Sequence, residues 1–222
     1  MEFVKETNQA KLSEILASAL SSALREYGQV VWLVSGGSNI PLSVAAMQKI
    51  SLQASDRLVV MQADERYGHF EHPDSNWLQL LQAGFDGKRA KLIPILRKEN
   101  LSIEETARRY EQKISDEFRQ AGFILGQFGI GPDGHIAGIL PGSSATKETG
   151  LVAFYREPKF ERITLSFAAL RCVSAAFVFV FGKKKEAALK DLKEKELSLK
   201  EEPAQILKKI SHATVYNDLI GF

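Results

Sequence analysis

The sequence is poor in cysteine and in long apolar runs, and both shortages narrow the class of protein. Its 222 residues include a single cysteine, Cys172, so no disulfide can form within the chain. One cysteine is typical of a reducing compartment, and we expect a cytoplasmic location. The longest apolar run, Ala175 to Phe181, is far shorter than the ~20 residues that span a bilayer. We therefore expect no membrane partner.

The chain also lacks an excess of charge of either sign. Lys and Arg total 29 and Asp and Glu total 27, which leaves a formal net charge of +2. Nucleic-acid-binding domains concentrate basic residues on one face, and this composition gives no such signal. We expect neither nucleic acid nor an anionic membrane as a partner. The remaining composition is that of an ordinary globular protein.

Two well-known catalytic and nucleotide-binding motifs are missing. No Gly-x-Ser-x-Gly occurs, which argues against a serine acyl-enzyme of the α/β-hydrolase type. No Gly-Lys-Ser/Thr follows a glycine-rich loop, which argues against a nucleoside triphosphate site. Gly129, Gly131 and Gly134 have the spacing of a dinucleotide fingerprint, but Pro132 interrupts the helix that such a loop should open. We expect no cofactor.

What is present is a regular alternation of strand and helix patterns. Val30–Val34 is a continuous apolar run, typical of a strand buried on both faces. The preceding segment has apolar residues at helical spacing, and predicts a helix capped by Thr7 that runs to Tyr27. The alternation predicts an α/β fold: a mostly parallel, Rossmann-like sheet with helices on both faces. No repeat or flexible linker interrupts it, so we expect one domain over residues 1–222. Further strands are predicted at 57–61, 92–95, 123–128, 151–155, 163–167, 175–181 and 213–216. Further helices are predicted to open at Ser75-Asn76 and at the capping box Ser102–Glu105.

The segment Gly129–Gly142 contains the candidate catalytic residues. It has the sequence GIGPDGHIAGILPG, and it places Asp133 and His135 two residues apart in a turn dense with glycine and proline. An imidazole that titrates near neutral pH and a carboxylate that orients it form a proton-transfer pair. The alternative at this point is an ordinary strand-to-helix turn with a solvated Asp and His.

Other predicted strand ends carry polar residues, and ligands of open parallel sheets bind at the carboxyl ends of strands. The glycine pair Gly36-Gly37 and Ser38 follow the predicted strand Val30–Val34. They suit an anion, because the backbone N–H groups of glycines can approach it closely and the Ser38 hydroxyl can donate to it. Asp64-Glu65-Arg66 follows the next strand. A plain tight turn and a solvated charge cluster are the alternatives for these two segments.

Two further patterns are explained without a ligand. His69 and His72 stand near several acidic residues, but the glycine and proline around them predict a loop and no cysteine is close, so we expect no metal. Residues 183–202 contain seven lysines and six acidic residues, and i,i+4 pairs among them predict the exposed face of a helix. Those pairs are Glu186–Lys190, Asp191–Lys195 and Glu196–Lys200.

Gly129–Gly142 resembles the hallmark loop of the 6-phosphogluconolactonase family, Gly-x-Gly-x-Asp-Gly-His-Thr-Ala-Ser-Leu-Phe-Pro. Here Ile136 and Gly138 replace the usual Thr and Ser. Related glucosamine-6-phosphate deaminases carry Asp-Gly-His-Ile-Ala and then a glutamate five residues after the histidine, where this chain has Leu140. The resemblance favours the lactonase. A deaminase/isomerase and a non-catalytic sugar-phosphate sensor remain as alternatives.

The resemblance implies hydrolysis of 6-phospho-D-glucono-1,5-lactone to 6-phosphogluconate, a step of the pentose phosphate pathway. A lactone is an activated ester, so water activated by a neutral imidazole can attack its carbonyl. His135 would be that general base, and Asp133 would orient the imidazole or bind a sugar hydroxyl. The expected partner is the small sugar-phosphate substrate alone, and we expect a monomer.

The resemblance also assigns residues to substrate binding. The Gly-Gly-Ser loop would receive the phosphate. Asp-Glu-Arg followed about ten residues later by Ser-Asn is a family pattern, in which the Asp binds sugar hydroxyls, the Arg reaches the phosphate or sugar, and the Asn supports the loop. An Arg that opens an Arg-Ile-Thr-Leu strand is a further anion ligand, and a Lys three residues after Gly182 helps to hold the sugar phosphate. The predicted set is Gly36, Gly37, Ser38, Asp64, Arg66, Asn76, Arg162 and Lys185.

Overall fold

A seven-stranded, all-parallel sheet forms the centre of the computed structural model, which describes residues 1–99 and 101–220. The mostly parallel α/β fold predicted from the alternation is therefore confirmed. In spatial order its strands are β1 (Glu2–Lys5), β10 (His212–Asn217), β9 (Ala175–Val180), β6 (Phe123–Phe128), β2 (Val30–Val34), β3 (Leu58–Gln62) and β5 (Lys91–Ile93).

Helices cover both faces of this sheet, as predicted. Side chains alternate along each strand, so β2 directs Val31 and Leu33 into one apolar core and Trp32 and Val34 into the other. Residues of α4 and α6 line the first core, and residues of α1, α2 and α3 line the second. The helices are α1 (Gln9–Glu26), α2 (Ile40–Lys49), α3 (Asn76–Gln82), α4 (Ile103–Gln120), α5 (Phe167–Leu170) and α6 (Glu186–Glu194).

A second, antiparallel sheet was not predicted. It has three strands in the order β4 (Asp64–Tyr67), β8 (Glu161–Leu165) and β7 (Val152–Arg156). The strands predicted near residues 151–155 and 163–167 exist, but they belong to this sheet and not to the parallel one. The charged sequence of β4 does not predict a strand, because its extended conformation depends on pairing with β8.

The ends of two elements differ from the predictions. Asn8 and not Thr7 caps α1, since the Asn8 side chain accepts a hydrogen bond from the backbone of Lys11 at 3.1 Å. At the other end of the chain, α6 stops at Glu194, before the predicted pair of Glu196 with Lys200. Glu196 instead pairs with Lys208 at 2.8 Å. The other two predicted pairs are confirmed, at 2.9 and 2.8 Å.

The strand order reverses in the middle of the parallel sheet. From β2 the chain proceeds to β3 and β5 on one side, and β6 leads to β9 and β10 on the other. A crevice forms at such a switch point, because the loops after the two central strands diverge. The loops that follow β2, β3, β6 and β9 all open at this edge. In the described part of the chain, no helix is both long and apolar enough to cross a membrane.

Candidate active site

A cavity of about 280 Å³ opens at the switch point, between the loops that follow β2, β3, β6 and β9. Nine of the ten predicted site residues line this cavity. The remaining one, Asp133, contacts His135, which is among the nine. Residues far apart in sequence therefore meet where the alternation predicted a ligand site. The lining residues are Ser35, Gly36, Gly37, Ser38, Asn39, Asp64, Arg66, Asn76, Gly129, Ile130, Gly131, Pro132, His135, Ala137, Gly138, Arg162 and Lys185.

Asp133 and His135 form a hydrogen-bonded pair at the rim. His135 Nδ1 lies 2.6 Å from Asp133 Oδ1, and the same oxygen accepts a weaker bond from the backbone N–H of His135 at 3.3 Å. A carboxylate on Nδ1 favours the tautomer in which Nε2 accepts protons. Burial alone would raise the pKa of Asp133, but the hydrogen bonds and the charge of His135 outweigh burial and bring that pKa below its usual range. The pair can therefore take a proton at Nε2 while Asp133 stays ionised.

Glycine is required where the loop passes behind this pair. A Cβ atom on Gly131 would lie 2.1 Å from His135 Nδ1 and 2.6 Å from Asp133 Oδ1, closer than any side chain tolerates. Gly134 adopts a φ of 80°, which disfavours residues with a Cβ. Two backbone bonds close the loop, Gly131 N–H to His135 O and Gly134 N–H to Gly131 O, both at 3.0 Å. The glycines thus leave room for the hydrogen-bonded Asp133–His135 pair.

The second sheet holds the far side of the same loop. Tyr155 Oη donates to the carbonyl of Gly138 at 2.5 Å, and Thr164 Oγ1 donates to the carbonyl of Ala137. Ala137 and Gly138 both have positive φ values, of 50° and 76°. A Cβ on Gly138 would lie 2.6 Å from the Cβ of Asp64, so the loop as placed here leaves no room for a larger residue at this position. The antiparallel sheet is therefore part of the site's framework.

Asp64 and Arg162 face each other across β4 and β8. Arg162 Nη1 lies 3.6 Å from Asp64 Oδ2, and Arg162 Nε donates to Glu157. Burial raises the pKa of Asp64, while the positive charges of Arg162, Arg66 and His135 act in the opposite direction. Two carboxylates already compensate the charge of Arg162. It is consequently less available to an incoming anion than the sequence suggested.

Arg66 has no carboxylate partner among the described residues. Its Nη1 donates to the carbonyl of Asp74 at 2.9 Å. Its guanidinium carbon lies 5.3 Å from the centre of the Phe160 ring, and that of Arg162 lies 5.6 Å from the same ring. Phe160 thus holds both arginines by cation–π contacts at the wall of the cavity.

Lys185 supplies a second cation without an ion pair in the described part of the chain. It is half-buried at the end of the short 3₁₀ turn Lys183–Lys185, while Lys183 and Lys184 are exposed and do not line the cavity. Burial lowers the pKa of Lys185, and the charge of Asp218 opposes that shift. An anion bound in the cavity would offset this desolvation.

The loop after β2 approaches the start of α3 closely. A Cβ on Gly36 would lie 2.1 Å from Asn76 Oδ1, and Gly37 adopts a φ of 62°, so both glycines are needed here. Four polar atoms of cavity-lining residues are buried and have no hydrogen-bond partner among the described residues. They are Ser35 Oγ, Asn39 Oδ1, Arg66 Nε and Asn76 Oδ1. Buried polar atoms are normally paired, so these four indicate a site for a polar ligand or for water.

Asn39 is a lining residue that the sequence reasoning missed. Its position directly after the predicted Ser35–Ser38 loop is the signal that would have found it. Of the two histidines weighed as metal ligands, His72 is buried with Nε2 2.9 Å from the carbonyl of Arg66. No group of three or more His, Cys, Asp and Glu residues that could hold a metal occurs within residues 1–99 and 101–220.

A larger cavity, of about 380 Å³, lies against the outer side of α3. Its walls are mostly apolar and include Phe70, Trp77, Leu81 and Leu96. Arg97 and Lys98 also line it, but the Asp133–His135 pair does not. Size alone therefore does not identify the reactive site.

Comparison with known proteins agrees with this geometry. The family model described as glucosamine-6-phosphate isomerases/6-phosphogluconolactonase matches residues 5–216. The chain belongs to this family. A protein of Thermotoga maritima named 6-phosphogluconolactonase is 30% identical over 194 residues, which cover 83% of this chain and 80% of the relative.

Solved structures share the fold of this family member. The crystal structure of a 6-phosphogluconolactonase from Shewanella baltica superposes with a TM-score of 0.84 at 20% identity, covering 98% of this chain and 97% of that one. A monomeric glucosamine-6-phosphate deaminase superposes with a TM-score of 0.78, also at 20% identity, covering 98% and 97%. The fold therefore does not separate the two activities, and the side chains of the site must.

Proposed function

We propose that the protein hydrolyses 6-phospho-D-glucono-1,5-lactone to 6-phosphogluconate, with His135 as the general base. The observation that carries this proposal is the 2.6 Å pair of His135 and Asp133 at the rim of a cavity that also holds Arg66 and Lys185. Family membership and the lactonase name of the relative support it. We further propose that the chain is a single-domain, cytoplasmic monomer that needs no cofactor.

The proposed chemistry begins with a water molecule on His135 Nε2. The imidazole takes a proton from this water as the water oxygen attacks the lactone carbonyl carbon. The tetrahedral intermediate then breaks its bond to the ring oxygen, and the imidazolium returns the proton to that oxygen. Asp133 stays ionised throughout and stabilises the transient imidazolium. The single product is the open-chain acid, in which the former ring oxygen has become a hydroxyl.

The charges of the cavity suggest how the substrate lies. Lys185 and Arg66 form no salt bridge in the described residues, whereas Arg162 does, so we assign the phosphate to Lys185, Arg66 and the Gly36–Ser38 loop. Arg162 already pairs with Asp64 and Glu157, and we propose that its role is to orient the Asp64 carboxylate. Asp64 then accepts hydrogen bonds from sugar hydroxyls, and Asn76 supports the loop beside it.

Turnover of freshly prepared 6-phosphogluconolactone tests this proposal. The lactone is generated enzymatically in the cuvette, and acid release is followed against the spontaneous reaction. We expect a rate well above the background and 6-phosphogluconate as the product by ³¹P NMR. A rate indistinguishable from the background, with folded protein, would contradict the proposal.

A further inference from the structure

Glu65 is the most deeply buried charged residue near the cavity. It stands between Asp64 and Arg66, which both line the cavity, yet its own side chain points away from solvent and is 0% exposed. Burying a carboxylate is costly unless hydrogen bonds replace its water. The contacts of Glu65 therefore show what its burial accomplishes.

Five hydrogen bonds of 2.7–3.0 Å converge on this carboxylate. Oε1 accepts from two backbone N–H groups, and Oε2 accepts from one backbone N–H and two side chains. Burial raises the pKa of Glu65, and the hydrogen bonds that it accepts counteract that shift. The donors are the backbones of Arg66, Asn76 and Trp77 and the side chains of Gln62 and Ser75.

These donors come from three separate elements. Gln62 ends β3, Arg66 lies in β4, and Ser75 caps α3. The first backbone N–H groups of a helix have no partner within the helix, and Glu65 satisfies those of Asn76 and Trp77. The carboxylate consequently ties the end of β3, the start of β4 and the start of α3 into one unit.

Two site residues depend on this unit. Asn76 Nδ2 donates to the carbonyl of Asp64 at 3.1 Å, and the Asn76 amide lies directly against Gly36. The backbone of Arg66 is held at 2.8 Å by Glu65. His135, by contrast, sits on a loop closed by its own backbone bonds to Gly131. Loss of Glu65 should therefore displace the sugar-phosphate wall and leave the proton-transfer pair in place.

We infer that Glu65 is a positioning residue for sugar-phosphate recognition: it sets Arg66 and Asn76 in the cavity wall through the hydrogen bonds to their backbones. This inference rests on the proposed function for its substrate. The competing explanation is that Glu65 only stabilises the fold. The two differ in whether its loss changes discrimination between phosphorylated and unphosphorylated lactone.

The test compares Glu65→Gln with a matched control, Glu117→Gln. Glu117 is another buried carboxylate, 2% exposed, and it accepts from Gln29 Nε2 at 3.2 Å and Lys91 Nζ at 2.6 Å. Gln29 precedes β2 and Lys91 begins β5, so this carboxylate lies at the edge of the sheet opposite to the cavity. Both substitutions replace one acceptor oxygen with an NH₂ group, and both should lower the melting temperature.

Only the change at Glu65 should alter recognition. We expect kcat/KM for the phosphorylated lactone to fall by about 10²-fold in Glu65→Gln, mostly through KM, because small misplacements of binding groups have effects of this size. The value for unphosphorylated gluconolactone should change several-fold at most. Glu65→Asp, which keeps the charge, should recover part of the loss. Glu117→Gln should keep the original ratio between the two lactones.

Other results decide against the inference. An unchanged ratio between the lactones in folded Glu65→Gln would overturn it, as would an equal change in Glu117→Gln. Should Glu65→Gln fail to fold, Ser75→Ala removes one of the five donors and must shift the ratio in the same direction by a smaller factor. No shift there would equally reject the positioning role.

A measurement of 6-phosphogluconate binding distinguishes failure of this inference from failure of the proposed reaction. If the unaltered protein hydrolyses neither lactone, the proposed reaction is wrong. The dissociation constant of 6-phosphogluconate, measured by calorimetry, then tests Glu65. At least tenfold weaker binding in Glu65→Gln than in Glu117→Gln supports the positioning role, and equal or undetectable binding in all variants rejects it.

Discussion

Substitution of Lys185 by alanine tests where the phosphate binds. Lys185 lines the cavity, is half-buried and makes no salt bridge among residues 1–99 and 101–220. A charge-assisted hydrogen bond to an anion contributes about 1.5–3 kcal/mol. At about 1.4 kcal/mol per decade, its loss corresponds to a factor of roughly 10–150. Because solvent partly screens a half-buried ammonium, we expect the lower part of this range, about 10- to 30-fold in kcat/KM.

The assay for this prediction uses two lactones and a neighbouring control. Kinetics are measured on 6-phosphogluconolactone and on gluconolactone, each corrected for spontaneous hydrolysis. In Lys185→Ala the loss should appear only with the phosphorylated lactone. Lys184→Ala removes an exposed lysine outside the cavity and should change neither substrate. Equal losses on both lactones, or the same loss in Lys184→Ala, would refute the assignment.

The pH dependence of 6-phosphogluconate binding provides a second test of the role of Lys185. Burial lowers the pKa of Lys185, against the charge of Asp218, so its ammonium loses a proton at lower pH than an exposed lysine does. Affinity for 6-phosphogluconate should fall as pH rises through this lowered pKa. Lys185→Ala should lack that component of the alkaline decline. Identical pH profiles of binding in both proteins would contradict the role of Lys185.

Three further predictions concern the loop of His135. Asp133→Asn should reduce kcat by about tenfold at neutral pH with little change in KM, because a charged hydrogen bond becomes a neutral one; steady-state kinetics measure this, and an unchanged kcat would count against the pair. Gly131→Ala should abolish most hydrolysis while circular dichroism stays native, since its Cβ would collide with His135 Nδ1; full activity would disprove the required geometry. The unaltered protein should release no ammonia from glucosamine 6-phosphate, because Leu140 stands where the related deaminases have a glutamate. Ammonia release above that of a mock purification would favour a deaminase over a lactonase.

Local signals were sufficient for much of the fold. The Ser102–Glu105 capping box at the start of α4 forms as predicted, with bonds of 3.2 and 2.9 Å between the two residues. The apolar run of β2 and the Ser75 cap of α3 were likewise correct. These features depend on residues close in sequence, so spacing and residue type determine them.

Other features depend on partners distant in sequence. β4 is extended because it pairs with β8, about a hundred residues later, and nothing in Asp-Glu-Arg-Tyr indicates a strand. For the same reason the sequence could not show that Arg162 is shared between Asp64 and Glu157. Glu65 was seen only as part of a charged triplet, because its five donors, although all within twelve residues of it in sequence, lie in three different elements. The roles of the individual site residues stay predictions.

The central claim is that His135 activates water to open the lactone ring. Its most direct test compares the unaltered protein with His135→Ala on freshly generated 6-phosphogluconolactone at pH 7, with 6-phosphogluconate binding measured in parallel. General bases typically contribute about 10²–10⁴-fold, so kcat should fall by at least about 10²-fold while product affinity changes little. A His135→Ala variant that keeps near-normal kcat would contradict the account.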